Sequence, residues 1–310
     1  MMLSEFSLID QFFKKTAPQN AETRLGIGDD CALLSIPNGY ELAITTDTMV
    51  EKVHFFADAN PAQLGHKLLA VNLSDLAAMS AKPLAVTLAL TLPRVDEDWL
   101  SEFSEGFLTL AQRYRVDLIG GDTTKGALTL TVQAMGLVPN GQALKRSTAR
   151  VGDLIYTTGL LGEAGLGLKI KQGYDCQSEN ALIRFHEPMP RVEIGLALRG
   201  IASACIDISD GLVGDLGHIL KQSGVGACVD FDKLPLSDDV KRYIEKTGDE
   251  FMPLISGDDY ELCFTVPPQF VNRVPENCTA IGIIEKESGL RLKKSDHIQT
   301  FTAKGYEHFS

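Results

Sequence analysis

The sequence predicts an α/β protein of two domains, and three observations carry that expectation. Short β-prone runs alternate with amphipathic helical runs along the whole chain. The pattern breaks at Arg146–Gly152 (RSTARVG) and then starts again. The 310 residues, 44% hydrophobic and 23% charged, suffice to build two medium-sized cores. The boundary is placed near residue 148, giving domains at 1–147 and 148–310.

In the first domain Leu42–Thr46 is apolar and β-prone. Pro61–Met79 has helical periodicity, with Leu64, Leu68, Val71 and Leu76 near one face. Leu84–Leu92 alternates as a strand. Asp96–Arg115 reads as an amphipathic helix, with Trp99, Phe103, Phe107 and Leu110 on one side. Val116–Ile119 and Leu128–Val138 are strands. In the second domain Leu154–Thr158 reads as a strand and Glu163–Lys171 as a helix. Asn180–His186 and Arg191–Arg199 are helical, separated by the Pro188–Pro190 break. Helices are expected at Leu212–Gln222 and Asp238–Lys246, and strands at Ala227–Phe231, Tyr260–Val266 and Thr279–Ile284.

A net charge of −12 gives no basic footprint for nucleic acid or anionic lipid. The N-terminal MMLSEFSLIDQFFKKT lacks a positive lead-in followed by an apolar run, so no secretory signal is expected. The apolar stretch Pro83–Pro93 is too short to span a bilayer. Six cysteines, at 31, 176, 205, 228, 263 and 278, show no CxxC spacing and read as reduced core thiols of a cytoplasmic protein.

The aspartates are what set the chain apart. They fall in GIGDD (Gly26–Asp30), TTDT (Thr45–Thr48), NLSD (Asn72–Asp75), GGDT (Gly120–Thr123), DISDG (Asp207–Gly211) and GDD (Gly257–Asp259). One such cluster alone is ordinary turn or helix-cap chemistry. Six of them, mostly expected at strand ends where α/β proteins place ligands, point to a site. Converging carboxylates repel one another unless a hard cation neutralises them, and Mg²⁺ takes oxygen ligands together with substrate phosphates. Histidine and cysteine are missing from these motifs, which disfavours zinc or redox metals. GxxxxGK[ST] and GxGxxG are both absent, so metal ions rather than a glycine cradle are expected to hold any nucleotide phosphates, helped by Lys145 and Arg146.

The series GIGDD, TTDTMVEKVHF, NLSDLAAM, GGDT, LKRSTARVGD, DISDGL, GDDYELCFTV and the terminal GYEHF closely resembles the thiamine-monophosphate kinase family, in order over nearly the whole chain. The wider superfamily includes aminoimidazole ribonucleotide synthetase, selenophosphate synthetase and a hydrogenase maturation factor. The resemblance implies a two-domain fold like that of aminoimidazole ribonucleotide synthetase. It also implies a homodimer in which the N-terminal sheets pair, and a C-terminal domain covering the cleft. The implied reaction is ATP plus thiamine monophosphate giving ADP plus thiamine diphosphate, with several Mg²⁺ per site. By the same resemblance Asp30, Thr45, Thr46, Asp47, Asp75, Asp122, Asp207 and Asp210 are expected metal ligands. Gly121, Asp122, Arg146 and Ser209 are expected to contact ATP, and His54, Asp258 and Tyr306 the thiamine substrate. Where the family often has Gly-Glu-Asp, this chain has Gly257-Asp258-Asp259, with a reach shorter by one methylene.

The acceptor is itself a phosphate monoester with a second pKa of about 6, so it needs no general base. Its thiazolium suits an aromatic face and a carboxylate, the types that Tyr306 and Asp258 supply. Two alternatives are another ATP-dependent synthetase of the superfamily and a non-catalytic nucleotide- or metal-binding protein. The reactive leader cysteine and C-terminal cysteine of two superfamily members are absent, and so is an EF-hand loop.

Overall fold

A computed structural model of the chain describes residues 5–14, 19–295 and 297–301. The chain divides into two units, Met1–Leu76 with Ala81–Gly141, and Ala77–Ser80 with Gln142–Ser310.

In the first unit, α1 (Glu5–Phe12) and the small antiparallel pair β1 (Thr23–Leu25) and β2 (Leu33–Leu34) precede the main sheet. Then follow β3 (Tyr40–Val50), α2 (Pro61–Ala78), β4 (Lys82–Leu92), α3 (Glu97–Tyr114), β5 (Asp117–Lys125) and β6 (Thr129–Pro139). The four strands lie in the order β3-β6-β4-β5. β6 is antiparallel to both β3 and β4, while β4 and β5 run parallel. A parallel pair needs a crossover connection, and α3 supplies it. α3 starts where the Asp96 carboxylate accepts the Trp99 N–H at 3.2 Å and stops at Arg115 in the left-handed region. Its apolar stripe of Leu100, Phe103, Phe107 and Leu110 is buried. One face of the sheet is covered, with Val86, Leu88 and Leu90 of β4 and Leu130 and Val132 of β6 all buried. The alternate positions, Thr87, Thr91, Thr129 and Thr131, are more accessible, as a strand with one covered face requires.

The second unit holds β7 (Leu154–Thr158), α4 (Glu163–Lys171), α5 (Glu179–His186), α6 (Val192–Ala197), β8 (Ala204–Asp207), α7 (Leu212–Ser223) and β9 (Gly226–Asp230). It continues with α8 (Asp238–Thr247), α9 (Met252–Ile255), β10 (Leu262–Val266), β11 (Cys278–Glu285), β12 (Gly289–Lys294) and β13 (His297–Phe301). These strands form a seven-stranded sheet in the order β13-β12-β9-β11-β7-β10-β8. β12 and β9 pair in parallel. The apolar face of α7, with Leu212, Leu216 and Ile219, packs into a core with Ile206, Cys263, Ile281 and Ile284. A second cluster joins α4, α5 and α8 through Leu166, Ala181, Val240 and Tyr243.

Two aspartate motifs lie elsewhere than the sequence pattern predicts. Thr45–Thr48 and Gly120–Thr123, expected at or past strand ends, sit inside β3 and β5. Thr45–Thr48 pairs with Thr131–Ala134, and Gly120–Thr123 with Thr87–Leu90. Both stretches are polar, so hydrophobicity alone ends these strands early. β-branched threonine fits a pleated surface and continues them.

Candidate active site

In the first unit, alternation along β3 sends Thr45 and Asp47 to one face of the sheet and Thr46 to the other. Thr45 donates its hydroxyl to the Asp75 carboxylate of α2 at 2.5 Å. Thr45, Asp47 and Asp75 thus lie toward the helix-covered face. His54 follows β3 in a turn, and its Nδ1 accepts the Val50 N–H at 3.0 Å. A neutral imidazole held in this way carries its proton on Nε2.

Gly121 and Asp122 are exposed on β5. A side chain at 121 would place a Cβ 1.8 Å from the Leu88 carbonyl oxygen, so only glycine fits between the paired strands. A cavity of about 740 Å³ opens beside them. Phe13, Ile27 and Leu118 give it an apolar side, and Asp30, Gly121 and Asp122 give it a polar one. Asp30 is exposed, and its N–H donates to the Asp29 carboxylate at 2.9 Å.

The chain does not bring Asp47 and Asp122 together. Across the sheet the register runs Asp47–Val132–Leu88–Gly121, and the next row runs Thr48–Thr131–Ala89–Asp122. The two aspartates therefore occupy opposite edges, roughly 14 Å apart at three strand spacings, and opposite faces.

In the second unit, Asp207 ends β8 and is buried, while Ser209 and Asp210 are half-buried in the loop that follows. Both of their N–H groups donate to the carboxylate of Asp215, at 3.0 Å each. Burial, with Asp210 nearby, pushes the Asp215 carboxyl up to about 7, and the Arg146 guanidinium acts in the opposite sense. Arg146 is thus close to the Ser209–Asp210 loop, and its carbonyl accepts the Ser223 hydroxyl at 2.9 Å.

Asp258 lies in a tight loop with φ at 68° and Tyr260 at 48°, both in the left-handed region. The Tyr260 hydroxyl donates to Asp258 at 3.2 Å. A Cβ on Gly257 would stand 2.2 Å from the Ser209 carbonyl, so glycine is required where the two loops touch. The loop is anchored on either side of Tyr260. Asp259, buried, accepts the N–H groups of Gly162 at 2.8 Å and Ala164 at 3.3 Å at the start of α4. Burial pushes its carboxyl up to about 7. Glu261, also buried, binds Arg184, Arg191 at 2.5 and 2.6 Å, and the Thr158 hydroxyl at 2.5 Å. Tyr306 lies outside the described residues.

Sequence reasoning gave no role to Asp215 or Glu261, and named Asp259 only as a member of the GDD motif. The only signal of Asp215 and Glu261 was an acidic residue four positions beyond a glycine, which reads equally well as a helix cap or a surface charge.

Among the described residues, no three His, Cys, Asp or Glu side chains converge as a metal-holding group. The candidate donors are all oxygens, and Mg²⁺ is commonly held by one or two carboxylates with water and substrate phosphates completing its shell. The donor set fits a magnesium ion that binds together with phosphate. No helix among the described residues is long and apolar enough to cross a membrane.

Residues 28–138 match the model of the AIR synthase related protein, N-terminal domain, and residues 150–293 that of the C-terminal domain. The thiamine-monophosphate kinase of Salmonella typhimurium is 48% identical over 327 residues, covering 100% of this chain and 99% of that protein. The crystal structure of thiamine-monophosphate kinase from Stenotrophomonas maltophilia K279a superposes with a TM-score of 0.86 at 42% identity, covering 94% of this chain and 97% of that one. AaThiL complexed with AMPPCP and TMP matches with a TM-score of 0.79 at 31% identity, covering 100% of this chain and 99% of that one. By its two matched domains and its full-length identity, the chain belongs to the thiamine-monophosphate kinase family of AIR synthase related proteins.

Proposed function

We propose that the protein transfers the γ-phosphoryl group of ATP to thiamine monophosphate, giving ADP and thiamine diphosphate by in-line displacement. The observation that carries this reading is full-length likeness to thiamine-monophosphate kinases, one of them complexed with AMPPCP and TMP. Mg²⁺, several per site, neutralises the phosphate oxygens of both reactants and aligns them. Asp30, Thr45, Thr46, Asp47, Asp75, Asp122, Asp207 and Asp210 supply oxygen ligands. Gly121 lets the nucleotide approach the backbone, and Arg146 and Ser209 bind its polar groups. His54, whose Nδ1 is taken by the Val50 N–H, offers its Nε2–H to the acceptor phosphate. Asp258 and Tyr306 take the thiazolium by charge and by π-face. The acceptor dianion attacks without a general base, which agrees with a site built from metal ligands and hydrogen-bond donors. Residues 1–147 form the metal- and ATP-binding and dimerisation domain, and residues 148–310 the C-terminal α/β domain.

The working form is a homodimer. β3 is 11 residues long, and among the described strands it pairs only with β6, leaving an open edge beside the exposed Ile44. β5, at the other edge, pairs only with β4 among them. Pairing of β3 with β5 of a second copy would put Asp47 and the partner's equivalent of Asp122 on neighbouring strands.

The test is an assay of the purified protein with ATP, Mg²⁺ and thiamine monophosphate. ADP and thiamine diphosphate should form in equal amounts. ADP formation only with another acceptor, or no turnover at all, rejects the assignment.

A further inference from the structure

In the loop joining β8 to α7, most backbone groups from Ile208 to Asp210 have named partners. The Ile208 N–H donates to the Glu261 carbonyl at 2.7 Å, and the Ile208 carbonyl accepts the Tyr260 N–H at 2.8 Å. The Ser209 carbonyl accepts the Asp258 N–H at 2.9 Å. The N–H groups of Ser209 and Asp210 both donate to one oxygen, Oδ2 of Asp215. Asp215 sits in the first turn of α7, only 3% exposed. Its side chain reaches back past Gly211, so these bonds shape the loop before the helix. Keeping a carboxylate buried is costly, and an apolar residue would serve a purely packing role better.

We propose that Asp215 is a positioning residue for nucleotide and metal binding. By accepting both N–H groups it fixes the direction in which the Ser209 and Asp210 side chains leave the backbone toward a magnesium nucleotide. This rests on the reading above, in which Ser209 and Asp210 contact that ligand. The carboxylate is the right acceptor for two adjacent N–H groups on one side, a role that an asparagine oxygen reproduces. Alanine removes the acceptor, and glutamate displaces it by one methylene. Arg146, close enough to act on the Asp215 charge, belongs to the same nucleotide-facing group.

Calorimetric titration of the full chain with Mg–AMPPCP reads binding without turnover. D215A and D215E should weaken the nucleotide about 10-fold or more, the loss expected when two hydrogen bonds to a buried group are broken. D215N should stay within about threefold of the unmodified protein, because an acceptor oxygen remains in place. The KM for thiamine monophosphate should move less than the nucleotide Kd. Nucleotide affinity unchanged in D215A and D215E, with only the melting temperature lowered, overturns the proposal in favour of a structural role. D215N as weak as D215A overturns it too. If D215A does not fold, the contrast between D215N and D215E decides, and equal affinities reject the proposal. S209A and D210N separate the two layers of argument. Unchanged affinity in both sinks the underlying reading. Weakened binding there, with D215A and D215E normal, sinks the positioning role alone.

Discussion

Gly121 and Asp122 form a pair in which one residue sets the other. With the Leu88 carbonyl 1.8 Å from any Cβ at 121, G121A must push β5 away from β4 and carry Asp122 with it. The expected cost is about 1–3 kcal/mol of stability, as for overpacking elsewhere, measurable by urea unfolding. The KM for ATP should rise alongside it. D122N leaves the backbone alone and removes only the charge. It should lower kcat about 100-fold or more while the circular dichroism spectrum is kept, the scale of loss seen when an electrostatic stabiliser of the transition state is removed. Near-normal turnover in D122N would remove Asp122 from the metal ligands. His54 is a different kind of residue, with one nitrogen committed to Val50 and the other set as a donor. H54A should raise the KM for thiamine monophosphate more than that for ATP, and the reverse order would take His54 out of the acceptor pocket.

Among elements, the segment between α9 and β10 carries the most contradictions of local preference. Two non-glycine residues, Asp258 and Tyr260, are left-handed, and buried carboxylates at Asp259 and Glu261 bracket Tyr260. Such backbone persists only where its surroundings over-determine it. Here the start of α4 and the arginines of α5 and the turn before α6 do so. The Asp259 carboxyl, raised to about 7 by burial, binds its proton more tightly folded than unfolded. Its contribution to stability is therefore full below the unfolded pKa near 3.8 and is lost as pH rises toward 7. D259N removes that loss, so its stability relative to the unmodified protein should increase with pH by at most about 1.4 kcal/mol per unit between pH 4 and 7. A difference flat with pH in urea melts would show that Asp259 stays ionised. Little of this was readable beforehand, because a buried carboxylate and a surface one look alike until their partners, distant in sequence, are known. Regular elements were easier. The period of α3 and the alternation of β4 were plain in Trp99–Leu110 and Leu84–Leu92. β8 (Ala204–Asp207) was missed because four buried residues carry no alternation.

For the whole molecule, the separation of Asp47 from Asp122 has the widest reach. The motifs TTDT and GGDT announce themselves in the sequence as parts of one site. Which edge of a sheet each occupies follows from strand order, and strand order is not written in either motif. If one copy's Asp47 works with its partner's equivalent of Asp122, mixed D47N and D122N chains should regain activity that neither has alone. Random reassortment makes half the dimers mixed, each with one intact site, so recovery should approach about one quarter of the unmodified rate. No recovery would place both aspartates in a site served by a single chain. The short ladder between 208–210 and 258–261 has a thermodynamic consequence of its own. Three backbone bonds of 2.7–2.9 Å make the Ser209 segment and the Asp258 segment one mechanical body, so that ordering either one orders the other. If ATP seats on the first segment and thiamine monophosphate on the second, whichever arrives first bears the entropy loss for both, and the other should then bind more tightly by the same factor in either order of addition.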